Sequence, residues 1–203
     1  MRTRSSSLWK NGASKLKIGV FALQGAFIEH ERALLSLGAE VKEIRLFSDF
    51  SDELDGVILP GGESTVQGKL LREGGFLEPL KKRIEEGLPV YGTCAGMILL
   101  ANKLSNDGNV YLGTLDATVR RNAYGRQLGS FAEELDFKGV GKFPAVFIRA
   151  PFVESAGKNV EILAEHKGKI VAVRQGHMLA TAFHPELTGD LRIHAYFLDM
   201  IRK

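Results

Sequence analysis

The chain has 203 residues, of which 44% are hydrophobic and 25% are charged, and its formal net charge is +3. This length suits one full-sized domain, and this composition excludes a disordered or fibrous protein. Four of the 27 basic residues lie in the first 15 positions, where there is no acidic residue, so the other 23 basic and 24 acidic residues nearly cancel. The basic charge therefore belongs to the N-terminal tail, and the sequence predicts neither a nucleic-acid partner nor a membrane partner.

Two further features bear on location. No apolar stretch approaches the length that spans a bilayer, and the single cysteine cannot form an internal disulfide, which fits a reducing cytoplasm. Residues 1–15 lack the apolar core of a secretory signal. We expect them to be a disordered leader, either a tail added for expression or a short targeting segment. A single domain should follow over residues 16–203.

The first half of the chain alternates between strand and helix patterns. Near-continuous apolar runs predict strands buried on both faces at residues 17–23, 41–44 and 56–59 and around Val90. Helical spacing predicts helices at about 27–37, 66–72 and 76–86 and after residue 94. This alternation continues to about residue 104 and predicts a parallel sheet with helices on both faces.

The second half changes character. Short strands with polar turns are predicted at residues 118–120, 131–137, 145–148, 160–164, 170–173 and 180–183, with a hairpin turn at 166–169. An amphipathic helix at 191–201 closes the chain. The whole pattern predicts an α/β domain of three layers, in which helices flank a mixed, largely parallel sheet as in flavodoxin-like folds.

A glycine-bracketed cysteine follows the strand at Val90. Gly92-x-Cys94-x-Gly96 is a nucleophile elbow with sulfur in place of oxygen. Its glycines allow a sharp turn and a close approach of helix to strand. Cys94 should then be exposed at a strand end and at a helix N-terminus, which favours the nucleophilic thiolate. The alternative is that this lone cysteine is a small buried hydrophobic residue.

A cysteine nucleophile needs a base, and the base needs an orienting partner. His184 is the best candidate base because Glu186 lies two residues away, and residues i and i+2 of an extended segment face the same side. Glu186 could hold one imidazole nitrogen while the other faces sulfur. The alternative is a surface histidine in a turn.

The other four histidines rank lower. His30 and His194 fall within helical patterns and are interpreted as surface or packing residues, and His166 lies at the expected hairpin turn. His177 is a reserve candidate for the base. Because no group of His, Cys, Asp and Glu has metal-ligand spacing, we predict no metal, and the sequence implies no cofactor.

A second glycine-rich turn, at residues 60–64, follows the strand at 56–59. It lacks both the lysine of a phosphate-binding loop and the spacing of a dinucleotide fingerprint. The Gly62 N–H could instead form an oxyanion hole with the Ala95 N–H. Glu63 suits a substrate ammonium group, and Arg121 or Arg149 suits a substrate carboxylate. The alternative is that these three are solvated charges.

Several motifs together are similar to the class I glutamine amidotransferases, and specifically to the glutaminase subunit of pyridoxal 5′-phosphate synthase. They occupy residues 22–25, 59–65, 92–96, 121–127, 147–151 and 183–187. The resemblance extends from about Lys17 to the C-terminus. It implies that Cys94 attacks the side-chain amide of L-glutamine to form a thioester. It also implies that His184 protonates the departing ammonia and later activates water, and that Glu186 orients His184.

The resemblance also implies a binding site and a partner. Its glutamine-binding positions are Gly62, Glu63, Ser64, Arg121, Ile148 and Arg149. Gln24 matches a position near the oxyanion hole and the partner interface. The glutaminase of this family is weak alone, is activated by docking, and passes ammonia to a (β/α)8-barrel synthase subunit that makes vitamin B6. The whole lyase complex contains twelve copies of each subunit.

Three other functions remain compatible with the residues themselves. The chain could be the glutaminase of another ammonia-using synthase, or a stand-alone cysteine hydrolase. It could also be a catalytically silent regulatory subunit that only binds a partner.

Overall fold

The computed structural model describes residues 14–122 and 129–203. Most of the expected leader, and residues 123–127 of one of the motifs above, lie outside the described residues. Within the described part, no helix has the length and apolar character needed to cross a membrane.

The described residues form strands and helices in close agreement with the predicted order. The strands are β1 (Lys17–Phe21), β2 (Glu40–Ile44), β3 (Gly56–Leu59), β4 (Val90–Thr93), β5 (Ala101–Leu104), β6 (Leu115–Arg120), β7 (Ser130–Phe137), β8 (Gly141–Ile148), β9 (Phe152–Ala156), β10 (Glu161–His166), β11 (Lys169–Gln175) and β12 (Met178–Thr181). The α-helices are α1 (Phe27–Ser36), α2 (Ser64–Glu73), α3 (Leu77–Glu85), α4 (Ala95–Leu100) and α5 (Arg192–Ile201). Short 3₁₀ turns lie at Phe47–Asp49 and Pro185–Leu187.

One large sheet organises the fold. Its order is β2-β1-β3-β4-β12-β11-β9-β6-β5, with β10 paired to β11. The first five of these strands are mutually parallel, whereas β11 and β9 run antiparallel to their neighbours. Strands β7 and β8 form a separate antiparallel hairpin. The predicted mixed α/β fold is therefore confirmed.

The centre of the sheet is buried on both faces. Every residue of β3 and β4 is buried, which is what their continuous apolar runs predict. Helices α3 and α5 each contribute an apolar stripe, Leu80 and Ile84 in α3 and Ile193 and Phe197 in α5. Helix α4 is buried along its whole length. This arrangement places the core between the helices and the parallel half of the sheet.

The structure differs from the sequence prediction in two strands. Residues 101–104, which continue the apolar run of α4, form strand β5 against β6. Strand β9 was not predicted because Glu154 and Ser155 interrupt its apolar pattern; it forms because β6 and β11 both bond to it.

Several predicted boundaries also differ. Strand β1 ends at Phe21 rather than at residue 23, and β12 spans Met178–Thr181 rather than residues 180–183. Strands β6 and β8 begin earlier than predicted, at Leu115 and Gly141. Helix α2 begins at Ser64, earlier than predicted, because the Glu63 carboxylate accepts the N–H groups of Thr65 and Val66 and caps the helix.

A substitution at Gly96 would test the close packing of α4 against β3. A Cβ built on Gly96 would lie 2.2 Å from the Leu59 carbonyl oxygen of β3, which is backbone and cannot rotate away. We expect Gly96→Ala to lower the free energy of unfolding by about 1–3 kcal/mol, measured by urea denaturation. The matched control is Gly108→Ala, where no atom lies within 4 Å of the added Cβ. Equal stability of the two variants would contradict the packing argument.

Candidate active site

The carboxyl ends of parallel strands bring the predicted site residues to one edge of the sheet. Gln24 follows β1, Gly62 follows β3, Cys94 follows β4 and His184 follows β12. Strands β3, β4 and β12 are adjacent, so the last three residues lie on neighbouring strands. This is the edge at which open α/β sheets hold their ligands.

Cys94 has the strained backbone of an elbow nucleophile. Its φ is 48° and its ψ is −97°, a conformation that costs a non-glycine residue about 1–3 kcal/mol. The Cys94 N–H donates to the Thr181 carbonyl oxygen at 2.7 Å, which ties the turn to the end of β12. The prediction that Cys94 is exposed was wrong. Only 6% of the residue is accessible because it lies at the bottom of a pocket beneath Ile148, whose carbonyl oxygen is 3.9 Å from the sulfur.

His184 and Glu186 form the predicted contact by a different route. The distance from His184 Nδ1 to Glu186 Oε1 is 2.7 Å, and the Glu186 side chain is completely buried. The segment is not extended, however, since Pro185 starts a 3₁₀ turn that carries the carboxylate round to the imidazole. Gly61 is required beside this pair because a Cβ there would lie 2.2 Å from the His184 ring.

The electrostatics of the pair favour a charged imidazole. Burial alone would lower the pKa of His184, but hydrogen bonds with Cys94 and Glu186 outweigh it and raise that pKa to about 10. Burial pushes the pKa of Glu186 upward, and the neighbouring His30 and His184 more than reverse this, so the carboxylate stays ionised. His184 is therefore ready to donate a proton at neutral pH.

A polar cavity of about 230 Å³ opens above Cys94. Its walls contain most of the residues predicted for the site, namely Gln24, Gly62, Glu63, Ser64, Cys94, Arg121, Ile148, Arg149 and His184. Two further wall residues were missed. Ile98 lies four positions after Cys94 on α4, a helical spacing that could have indicated it. Asn122 lies in the 121–127 motif but was not assigned to the site, and its φ of 50° marks the turn after β6.

Opposite charges meet on one wall of the cavity. Arg121 Nη2 lies 3.2 Å from Glu63 Oε1, and the other Arg121 terminal nitrogen pairs with Asp107. Burial pushes the pKa of Glu63 upward, but hydrogen bonds from Thr65 and Val66 hold it below its usual value. The wall therefore offers both a carboxylate and a guanidinium, as an amino-acid substrate requires.

One of the two predicted oxyanion groups, Gly62, lies beside Gln24. The Gln24 side-chain oxygen accepts the Glu63 N–H at 2.8 Å, and a Cβ on Gly62 would lie 2.4 Å from that oxygen. Gly62 lines the cavity, whereas Ala95 is completely buried as the first residue of α4.

The opposite wall comes from the separate hairpin. Ile148 ends β8, and Arg149 follows it with a φ of 43° and an N–H that donates to the Gly129 carbonyl oxygen at 3.0 Å. The hairpin thus closes over the sulfur from outside the main sheet.

The other four histidines lie away from the cavity wall. His177 lies at the start of β12, where its carbonyl oxygen accepts the Val90 N–H, so it is at the opposite end of the sheet and cannot act as the base. His166 is buried at the end of β10. His30 and His194 are completely buried behind Glu186 and are hydrogen-bonded to each other at 2.9 Å. Across residues 14–122 and 129–203, no group of three or more His, Cys, Asp or Glu side chains is arranged to hold a metal ion.

Comparisons with known proteins show the family of this chain. The model of the SNO glutamine amidotransferase family matches residues 20–203. Pyridoxal 5'-phosphate synthase subunit PdxT of Desulfitobacterium hafniense (strain Y51) is 57% identical over 186 residues, 92% of this chain and 94% of that protein. The subunit of the same name from Haemophilus influenzae (strain PittEE) is 55% identical over 190 residues, 92% of this chain and 99% of that protein.

A solved structure gives the same result. A crystal structure of a glutamine amidotransferase has a TM-score of 0.87 and 49% sequence identity, and the match covers 92% of this chain and 99% of that one. The fold is thus that of the glutamine amidotransferase class. Within that class, the chain belongs to the SNO glutamine amidotransferase family. The resemblance found in the motifs is confirmed.

The raised pKa of His184 makes a prediction about titration. Since the folded-state pKa is about 10, the imidazole should keep its charge above the usual value of 6.5 and lose it as the pH rises through about 10. Glu186→Gln removes one of the hydrogen bonds that raise this pKa, so the ring should titrate at a lower pH. Nitrogen-15 NMR of the histidines measures both values. Glu165→Gln, which removes an exposed carboxylate elsewhere, should leave the His184 titration unchanged. Titration near pH 6.5 in the parent chain would refute the charged pair.

Proposed function

We propose that this chain is the glutaminase subunit of pyridoxal 5′-phosphate synthase. It hydrolyses L-glutamine to L-glutamate and ammonia and channels the ammonia to the synthase subunit for vitamin B6 biosynthesis. The observation that carries this proposal is the 57% and 55% identity, over nearly all of both chains, to subunits named for that complex. The cavity supports it because a cysteine, a charged imidazole and a Glu63–Arg121 pair all face one space.

The chemistry follows from the three groups at the bottom of the cavity. The Cys94 thiolate attacks the side-chain amide carbon of glutamine, and its negative charge passes to the carbonyl oxygen. His184 then donates its proton to the leaving nitrogen, so ammonia departs and a thioester remains. The neutral imidazole next takes a proton from water, which attacks the thioester and releases glutamate. Glu186 holds Nδ1 of the ring throughout, so that Nε2 faces the reacting atoms.

The cavity walls supply the other interactions. The N–H groups of Gly62 and Ala95 are the proposed donors to the oxyanion, and losing one such donor costs about a hundredfold to a thousandfold in rate. Glu63 binds the α-ammonium group of glutamine. Arg121 and Arg149 bind its α-carboxylate, while Ser64 and Ile148 complete the substrate contacts.

The partner is a (β/α)8-barrel synthase subunit, with twelve copies of each subunit in the assembly. Gln24 lies at the proposed interface and activation point, since its side chain holds the Glu63 N–H beside the oxyanion donors. Exposed apolar side chains follow the neighbouring strand β2, where Leu46 is 67% and Phe47 is 49% accessible. Such residues are common where a partner docks. The single cysteine supports a cytoplasmic location.

One assay distinguishes this proposal from its alternatives. Ammonia release from L-glutamine is measured with the chain alone and after a pyridoxal phosphate synthase barrel subunit is added. A low rate alone that rises on mixing supports the proposal. A full rate alone would indicate an independent amidase. No ammonia release under either condition would indicate a regulatory subunit or a glutaminase that serves a different synthase.

Removing the nucleophile or the base should stop this reaction. We expect Cys94→Ala and His184→Asn each to lower ammonia release in the presence of the synthase by about a thousandfold or more. Circular dichroism and the unfolding midpoint should stay close to those of the parent chain. His177→Asn is the matched control, because His177 lies at the opposite end of the sheet. A normal rate in either active-site variant would eliminate the proposed triad.

The charged wall should determine affinity for glutamine. We expect Arg121→Ala and Glu63→Ala to raise KM about tenfold to a hundredfold, because a hydrogen bond to a charged group is worth about 1.5–3 kcal/mol. The control is Arg120→Ala, which removes the adjacent arginine and its exposed pairing with Glu154 at 3.1 Å. An unchanged KM in the first two variants would show that Glu63 and Arg121 are only solvated charges.

A further inference from the structure

A second row of polar side chains lies behind Glu186, on the side away from Cys94. Glu186 Oε1 is occupied by His184, whereas Glu186 Oε2 has no hydrogen-bond partner among the described residues. His30 of α1 lies beside that oxygen, and its Nε2 is 3.5 Å away. His30 Nε2 also lies 3.1 Å from the Thr93 hydroxyl at the end of β4. Both His30 and the Glu186 side chain are completely buried.

His194 of α5 completes the row. Its Nε2 lies 2.9 Å from His30 Nδ1 in a fully buried contact. Its other ring nitrogen, Nδ1, is buried and has no partner among the described residues. Burial lowers the pKa of His30 below its usual value and lowers the pKa of His194 to about 3, so both rings are neutral. Each neutral ring carries one N–H, and the question is which nitrogen carries it.

The unpartnered nitrogen decides the arrangement of protons. A buried N–H without an acceptor costs about 1–3 kcal/mol or more, so His194 Nδ1 is the nitrogen without a proton. His194 Nε2 then carries the N–H and donates it to His30 Nδ1. His30 must in turn carry its proton on Nε2, which is the atom that faces Glu186 Oε2 and Thr93.

The opposite arrangement is less favourable at both ends. If His30 Nδ1 donated to His194 Nε2, His194 would have to carry its proton on the unpartnered Nδ1. The Thr93 hydroxyl could then donate to His30 Nε2 at 3.1 Å, but the same lone pair would also face the carboxylate oxygen 3.5 Å away, which is repulsive. Both ends therefore favour a proton on His30 Nε2.

We propose that His30 and His194 are positioning residues for the active site, acting through Glu186. They form a one-directional chain in which His194 donates to His30, His30 directs its N–H at Glu186 Oε2, and Glu186 Oε1 holds His184. One carboxylate oxygen is held by His184, and the other lies 3.5 Å from His30 Nε2, which also contacts the Thr93 hydroxyl, so rotation of the carboxylate away from His184 is opposed. The inference depends on the proposed function only through the reaction that the chain supports.

The alternative is that the two histidines only fill space between α1, α5 and β4. Replacing His30 with Gln or with Asn, whose amide side chains differ in length, separates the two roles. A Gln side chain places its amide nitrogen near the position of imidazole Nε2, whereas the shorter Asn places it near Nδ1. His30→Gln therefore keeps a donor toward Glu186, and His30→Asn removes it.

The kinetic test uses the chain with the synthase barrel subunit and L-glutamine. We expect His30→Asn to lower kcat about tenfold to a hundredfold, as misplacement of a catalytic group does, with KM within about twofold of the parent value. We expect His30→Gln to recover most of that loss. His177→Asn is the control. Equal kcat in the Asn and Gln variants and the parent would overturn the positioning role.

If His30→Asn does not fold, the same comparison can be made with a Gln and an Asn variant of His194. His194→Gln keeps a donor near Nε2, whereas His194→Asn does not, so we again expect the Gln variant to retain the higher kcat. An equal loss in both variants, together with an equal fall in unfolding midpoint, would indicate packing alone and overturn the proposal.

A measurement on the folded chain needs no activity. Nitrogen-15 to proton correlation spectra of histidine-labelled protein report which ring nitrogen carries the proton. We expect Nε2–H for both His30 and His194. A proton on Nδ1 of His30 overturns the inference, whatever the assay shows. If the parent chain released no ammonia with the synthase, the proposed function would fail while this spectrum still decided the direction of the chain.

Discussion

The parallel pairing of β3, β4 and β12 is the constraint on which the site depends. Leu59 and Ala180 both pair with Gly92, so the three strands end almost level. The three turns that follow therefore open at the same place, and they carry a glycine-rich loop, a cysteine and a histidine. Close contact between the strands and α4 is possible only because Gly92 and Gly96 lack side chains. A larger residue at either position would move Cys94 relative to its neighbours.

The buried carboxylate of Glu186 is a second constraint, and it follows from the first. His184 lies at the sheet edge just after β12. Pro185 then turns the chain inward, so that the Glu186 side chain has no access to solvent. A buried negative charge must be compensated by neighbouring N–H groups or positive charge. That requirement explains why imidazole rings surround it on two sides, and why α1 and α5 each bury a histidine rather than an apolar residue at this point.

Local patterns predicted the sheet and the turns that carry Gly62, Cys94 and His184, because these depend on features close together in sequence. The cavity residues Gln24, Ser64 and Ile148 were assigned only through the family resemblance. The apolar runs of β1, β3 and β4 and the glycines around Cys94 are local signals, and so is the spacing of His184 and Glu186. Contacts between distant elements were not predictable from periodicity. Helical spacing placed His30 and His194 on helices but could not show that α1 and α5 converge on Glu186. Strand β9 was missed for the same reason, since its partners rather than its composition make it a strand.

The position of β12 has a consequence for synthesis of the chain. This strand is the last in sequence, yet it lies in the middle of the sheet, between β4 and β11. While the ribosome makes residues 94–177, one edge of β4 has no partner, and an open apolar strand edge is a site for aggregation. The fold can close only after β12 has been made. Until then Cys94 is present without His184, so a chain terminated before residue 184 carries the thiol without its base.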